Sequence, residues 1–254
     1  MVTYRCNQLI SGKPGTFLET ILRKCRAIPR EVEILSHIFT ARKNQFITVS
    51  DRQMEILAGG LLGDAYISKR GAIQIEQGAN QKEYLFWKHK ELKSIVSGKI
   101  SRVFRKKKSG ATFSSYRFFS KQYFRPWRQV MYRSGRKIIP ASVLELITPL
   151  SLAVWYMDDG SKKNNYSVII STDGFSKDSL KKLRTMLQEK WSINTRVVFK
   201  TTAGKKYGRL TIGSYDLVRF FELIRPYIIP SMKYKISDPV TTQSIKRRER
   251  LYLN

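Results

Sequence analysis

Two short apolar runs, each closing on an aspartate, constrain this chain more than any other feature. The first is Leu57-Ala58-Gly59-Gly60-Leu61-Leu62-Gly63-Asp64-Ala65. The second is Leu152-Ala153-Val154-Trp155-Tyr156-Met157-Asp158-Asp159-Gly160. Asp64 and Asp159 fall at the same place in both. An aspartate at the C-terminal end of a helix meets the negative end of the macrodipole, a placement that a cation relieves. If the two helices lie side by side and parallel, both acids arrive at one place.

The glycines support that pairing. Gly59 and Gly63 are four apart and share a helix face that has no side chain to hold a neighbour away. Glycine inside a helix costs up to about 1 kcal/mol relative to alanine. Gly59, Gly60 and Gly63 together therefore call for a second helix at close range. Helix signals frame both runs. Ser50 or Asp51 is an N-cap and Ser50 to Gln53 has capping-box spacing, which predicts a helix over 52–64. Thr148 caps and Pro149 takes the first helical position of a helix over 150–159.

The segments after the two runs also repeat. After the first, Ile73 and Ile75 alternate with Gln74 and Glu76 as a strand, next to a turn at Arg70-Gly71. A helix is predicted over 82–96, a hairpin from 100–107 and 112–119, and helical spacing over 123–132, interrupted by Pro126. After the second come a strand over 167–171, a helix over 177–190, a hairpin from 196–200 and 209–213, and a helix over 215–224. Both stretches close on Ile-Ile-Pro, at Pro140 and at Pro230. This is a long-period duplication rather than a solenoid. It divides the chain into a helical N-terminal extension (1–50), two repeats (51–147 and 148–238) and a basic tail (239–254). In the extension, Phe17, Leu18, Ile21 and Leu22 fit one helix face. Pro29 opens a second helix holding Val32, Ile34, Leu35 and Ile38.

Charge narrows the partner. Lys and Arg number 48 against 19 Asp and Glu, a net +29. Such an excess repels itself in a compact fold unless a polyanion is its usual neighbour. The basic residues are spread along the chain, which favours nucleic acid gripped along a long surface. Cys6 and Cys25 form no zinc spacing and no disulfide framework. They suit free thiols in a reducing compartment or a single bridge. No signal-peptide core is present and no run approaches the roughly 18 apolar residues of a membrane span. The expectation is an intracellular protein with no membrane partner, in an organelle (mitochondrion or chloroplast) or a prokaryotic cytoplasm.

Two carboxylates beside an anionic phosphate need a divalent cation between them. Mg²⁺ suits, with Mn²⁺ as a substitute, because it takes a few carboxylates and completes its shell with water and phosphate oxygens. No Ser-His or Cys-His arrangement is visible, so the nucleophile expected is a metal-activated water. His37 and His89 lie away from the motifs and read as structural. Lys137, before the first Ile-Ile-Pro, and Lys233 or Lys235, after the second, are candidate cations for the reacting phosphate. In the second hairpin Arg196 and Lys200 oppose Val197 and Phe199, and Arg209 and Thr211 oppose Leu210 and Ile212. That makes a sheet with an apolar back and a basic front, suited to a DNA groove. In the first hairpin Arg102, Arg105, Lys106, Lys107, Lys108 and Arg117 supply charge, while Phe113, Phe118 and Phe119 blur the faces.

At these residues the chain resembles the LAGLIDADG homing endonucleases, in their single-chain, two-repeat form. The resemblance covers roughly 51–238 and rests on Leu57 to Ala65, Leu152 to Gly160 and their duplicated flanks. It implies an α+β fold: two pseudo-symmetric αββαββα repeats, motif helices packed at their interface, and two antiparallel β-saddles over double-stranded DNA. It implies Asp64 and Asp159 as metal-binding acids, Lys137 and Lys235 as basic active-site residues, and Glu76 as a polar pocket residue with Ser171 as its counterpart. Arg102, Lys106, Lys107, Arg117, Arg196, Lys200, Arg209 and Thr211 are the expected DNA contacts. The implied activity is a double-strand break with short 3′ overhangs at a long asymmetric site, made by a monomer. An intron RNA maturase and a non-catalytic DNA-binding protein are the alternatives on this scaffold. Ala65 departs from the family's glycine after the first acid, and Val154 and Asp158 replace small residues in the second motif. Motif register selects Asp159 over Asp158.

Overall fold

The computed structural model describes residues 38–40, 46–107 and 109–236. A two-stranded sheet comes first, β1 (Ile38–Thr40) against β2 (Phe46–Thr48). Ile38 is thus in a strand, not in the helix expected there. The predicted helical residues before Ile38, the basic tail and Lys108 lie outside the described residues.

Each repeat then runs helix, two strands, helix, two strands, helix. The first is α1 (Asp51–Leu62), β3 (Tyr66–Ile67), β4 (Ile73–Gly78), α2 (Lys82–Glu91), β5 (Val96–Lys106), β6 (Thr112–Ser120) and α3 (Arg125–Met131). A linking segment holds β7 (Tyr132–Arg133), β8 (Arg136–Lys137) and α4 (Ala141–Glu145). The second repeat is α5 (Pro149–Asp159), β9 (Gly160–Asn164), β10 (Ser167–Ile170), α6 (Lys177–Trp191), β11 (Arg196–Thr202), β12 (Lys205–Ile212) and α7 (Ser214–Ile224). The strand orders match: β3-β4-β6-β5 in one sheet and β9-β10-β12-β11 in the other. The αββαββα expectation holds in both halves.

Local chemistry sets the helix ends. The Ser50 side chain accepts from the Gln53 amide, and the Gln53 side chain accepts from the Ser50 amide, so the predicted capping box is complete. Thr148 accepts from the Ser151 amide, with Pro149 in the first turn of α5. Helix α2 stops at Glu91, short of the predicted residue 96. Ile95 and Val96 are β-branched, and Gly98 (φ +78) takes a left-handed conformation that an α-helix does not allow.

The motif helices α1 and α5 lie against each other, and nearly every side chain of the two runs is buried. A Cβ on Gly59 would stand 2.2 Å from the Ser151 carbonyl oxygen, and one on Gly63 would stand 2.5 Å from the Asp158 carboxylate. Those two glycines therefore permit the contact. Gly60 does not share in it, since a Cβ there would meet only the Ala65 Cβ at 3.6 Å. The bulk of the second motif goes elsewhere. Tyr156 turns into its own repeat, edge-on to Phe220 of α7 at 5.2 Å.

Each sheet has one face under a helix. Phe86 and His89 of α2 meet Tyr116 and Phe118 edge-on. Leu180 of α6 presses on Gly208, where a Cβ would come within 2.7 Å of its Cδ1. Among the described residues no helix is long and apolar enough to cross a membrane.

Candidate active site

The two acids arrive where the motif helices end. Asp64 follows the C-cap Gly63 and is exposed; Asp158 and Asp159 are the last residues of α5. Each helix end carries a lysine. Lys137 Nζ donates to the carbonyls of Leu61, Gly63 and Ala65 at 2.8, 3.2 and 3.0 Å. Lys235 Nζ donates to the carbonyls of Met157 and Asp158, the latter at 3.1 Å. A cation among the unpaired carbonyls of a helix C-terminus is favourable. It also brings positive charge within reach of the carboxylates. Lys233, the other candidate, is exposed.

The carboxylates strain against one another. Burial, and then the charges of Asp64 and Asp158, push Asp159 up to about 8, against the pull of Lys137 and Lys235. Burial pushes the Asp158 carboxyl up, and the Lys88 ammonium beside it pulls the other way. Burial lowers Lys137 and Lys235, partly offset by the surrounding acids.

Three further residues complete the cluster. Gln77 Nε2 donates to Asp64 Oδ2 and to Asp158 Oδ1, each at 3.0 Å. Lys88 Nζ lies 2.5 Å from Asp158 Oδ1. It also stands 4.2 Å above the Tyr84 ring, whose hydroxyl donates to the Val154 carbonyl at 3.1 Å. Sequence reasoning passed over Gln77 and Lys88, although each broke its local pattern. Gln77 holds an inward strand position in line with Ile73 and Ile75. Lys88 holds an inward helix position one turn after Tyr84.

Glu76 points the other way. It lies on the face opposite Gln77, where Arg105 forms a two-pronged pair with it and Ser115 donates at 2.5 Å. The Arg105 guanidinium holds the Glu76 carboxyl below its ordinary value. The structure thus places Glu76 on the sheet surface rather than among the three aspartates. Ser171 donates its amide to the Asp159 carbonyl at 3.0 Å.

The basic residues sort by register. In the second sheet Arg196 pairs with Thr211, Val198 with Arg209 and Lys200 with Tyr207, so Arg196, Lys200, Arg209 and Thr211 share one face as expected. Arg209 is held there by Asp173 through bonds of 2.7 and 2.6 Å. In the first sheet Glu76, Arg117 and Ser101 are in line across three strands. Arg105 shares that face, and Lys107 reaches over the Phe113 ring there. Arg102 is in line with Tyr116 and Gln77, on the helix-bearing face, where it stacks on Phe104 at 4.7 Å. Lys106, opposite Thr112, is on that face too. Alternation along β5 separates them, since Arg102 and Lys106 are out of phase with Ser101 and Arg105; the bulge between Ser97 and Ser101 adds an even number of residues and leaves the faces unchanged.

Comparison with known proteins agrees with this geometry. The profile of the LAGLIDADG DNA endonuclease family matches residues 54–220. A probable intron-encoded endonuclease 1 of Wickerhamomyces canadensis is 33% identical over 219 residues, 76% of this chain and 87% of that protein. The cytochrome b mRNA maturase bI2 of Debaryomyces hansenii is 29% identical over 209 residues, 74% of this chain and 75% of that one. RecA of Mycobacterium shimoidei is 29% identical over 206 residues, 74% of this chain, and the chain spans only about half (47%) of its length. The solved structure of the homing endonuclease I-WcaI bound to its DNA recognition sequence superposes with a TM-score of 0.68 at 28% identity. It covers 84% of this chain and all (100%) of that one. With paired motif helices, matched sheets and a family profile spanning most of both repeats, the chain belongs to the LAGLIDADG DNA endonuclease family.

Proposed function

We propose that this chain is a site-specific endonuclease that hydrolyses both strands of a long, asymmetric DNA target with the help of Mg²⁺. The observation that carries this reading is the pairing of Asp64 and Asp159 at adjacent helix ends, each backed by a lysine, in a chain with two basic sheet faces. The likeness to I-WcaI, which is bound to DNA, supports DNA as the substrate.

The donor chemistry fits a hard divalent cation. Among the described residues no cluster of three or more His, Cys, Asp or Glu is arranged to hold a metal ion. Mg²⁺ needs no such cage, taking one or two carboxylates and filling its shell with water and phosphate oxygens. Asp64 and Asp159 would hold it, and the push on Asp159 from its acidic neighbours is the repulsion a cation would remove. When bound, Mg²⁺ supplies an activated water and neutralises charge on the phosphate. Lys137 acts through its field: the three protons of its ammonium have three carbonyl acceptors, so it raises the local potential without leaving the helix end. Lys235 does the same for the second helix. The face with Arg196, Lys200, Arg209 and Thr211 and the face with Arg105 and Arg117 grip the duplex on either side. Both halves come from one chain, which supports a monomer, and their unlike residues support an unlike pair of half-sites.

The test is incubation with DNA spanning candidate intron insertion sites. Double-strand cutting with short 3′ overhangs is expected with Mg²⁺ or Mn²⁺ and none with a chelator; cutting that survives chelation would overturn the metal assignment. The maturase relative favours a second reading, binding of intron RNA. RNA-dependent splicing activity without any DNA cutting would put that reading first. Intron-borne relatives also support expression in an organelle.

A further inference from the structure

The two halves of the acid cluster are supported differently, and the difference sits in Lys88. This lysine is on α2, buried to 1% side-chain exposure, and its partner Asp158 has no exposed side-chain surface. Lysine is almost never so buried unless paired. The pairing leaves Asp158 fully engaged. Its Oδ1 accepts from Lys88 and from Gln77, and its Oδ2 lies 3.4 Å from the Asp64 amide nitrogen. Its carboxylate also occupies the space a side chain at Gly63 would take. In motif register Gly63 and Asp158 are equivalent positions, so one helix leaves out the side chain that the other inserts. Asp64, in contrast, is exposed, and its Oδ2 accepts from the same Gln77 amide.

We propose that Lys88 and Gln77 are positioning residues: Lys88 neutralises Asp158, making that carboxylate an anchor rather than a cation ligand, and Gln77, held on this anchor, aims Asp64 at the cation. The inference rests on the endonuclease reading. Three carboxylates meet at two helix ends, and an unneutralised Asp158 would compete for both Gln77 and the ion. The Lys88 pair leaves two carboxylates for a cation. The Gln77 bridge reaches Asp64 and Asp158 but not Asp159, so the Asp64 half of the centre depends on this device and the Asp159 half does not.

The experiment uses the full chain with a duplex carrying its cleavage site. It reads Mn²⁺ bound per protein by electron paramagnetic resonance, nicked against linear plasmid, and melting temperature. Asp158→Asn keeps the acceptor oxygen and loses the charge, so it is expected to bind as many Mn²⁺ ions as the parent, whereas Asp64→Asn binds fewer. Gln77→Ala is expected to slow cutting of one strand about 10–100-fold, the usual range for a residue that orients a metal ligand, so that nicked plasmid accumulates. Lys88→Met leaves a buried charge alone and is expected to lower the melting temperature and accumulate nicked product. Lys88→Met with Asp158→Asn removes both charges, and recovery of stability and of the second cut is expected. Loss of an ion in Asp158→Asn, equal slowing of both strands in Gln77→Ala, or no recovery in the double variant would overturn the inference while leaving the endonuclease reading intact. A parent protein that binds no Mn²⁺ would overturn both.

Discussion

Asp159 shows how far a single residue departs from its ordinary chemistry here. Its pKa, pushed up to about 8 by burial and two neighbouring acids, means that the native protein without a cation keeps a proton there that the unfolded chain releases near pH 4. The native state then binds more protons than the unfolded state across that interval, so stability falls as pH rises from about 4 to 8. In the presence of a chelator, the melting temperature is expected to decline over that range, and Asp159→Asn is expected to flatten the decline. An unchanged slope in the variant, measured by differential scanning fluorimetry, would contradict this. Asp64 and Asp159 were legible in the sequence because the duplicated motif marks them. Gln77 and Lys88 were not, because a polar residue at an inward position reveals its partner only after the fold has brought one.

The contact between α1 and α5 makes two neighbouring glycines behave in opposite ways. Gly59→Ala drives a Cβ into the Ser151 backbone and is expected to cost roughly 1–3 kcal/mol, the range for overpacking. Gly60→Ala meets only the Ala65 methyl at ordinary contact distance and removes a helix-interior glycine, so it is expected to stabilise by up to about 1 kcal/mol. Urea denaturation of the two variants checks both signs. The sequence pattern foretold the Gly59 and Gly63 face, but it also counted Gly60 as a reason for the close contact, and the partner helix does not reach that side. The strands were harder. Strand β3 is only two residues long and β9, Gly-Ser-Lys-Lys-Asn, has no apolar residue to alternate, so only their partners β4 and β10 were predicted. Charge alone does not assign a face: Arg102 and Lys106 lie an odd number of residues from Arg105 and Lys107, so strand alternation puts them on the helix-bearing side.

At the scale of the molecule, duplication was the most legible property, because matched flanks and endings preserve order even where local signals fail. The two sheets show the same strand order, yet they are charged differently, and DNA binding reports the difference. Arg196→Ala is expected to weaken binding and lower the slope of log affinity against log salt by about one, as for any lost phosphate contact. Arg102→Ala, on the opposite face of its sheet, is expected to leave that slope unchanged. Equal effects from the two substitutions, measured by fluorescence anisotropy over a salt series, would overturn the assignment of faces.

Asp64 and Asp159 are proposed to form one metal-dependent centre between two DNA-binding faces. Their joint role is tested most directly by Asp64→Asn and Asp159→Asn, each assayed on the same target for binding and for cutting. Both variants are predicted to bind the duplex as the parent does and to lose double-strand cleavage. Full cleavage by both would contradict the account.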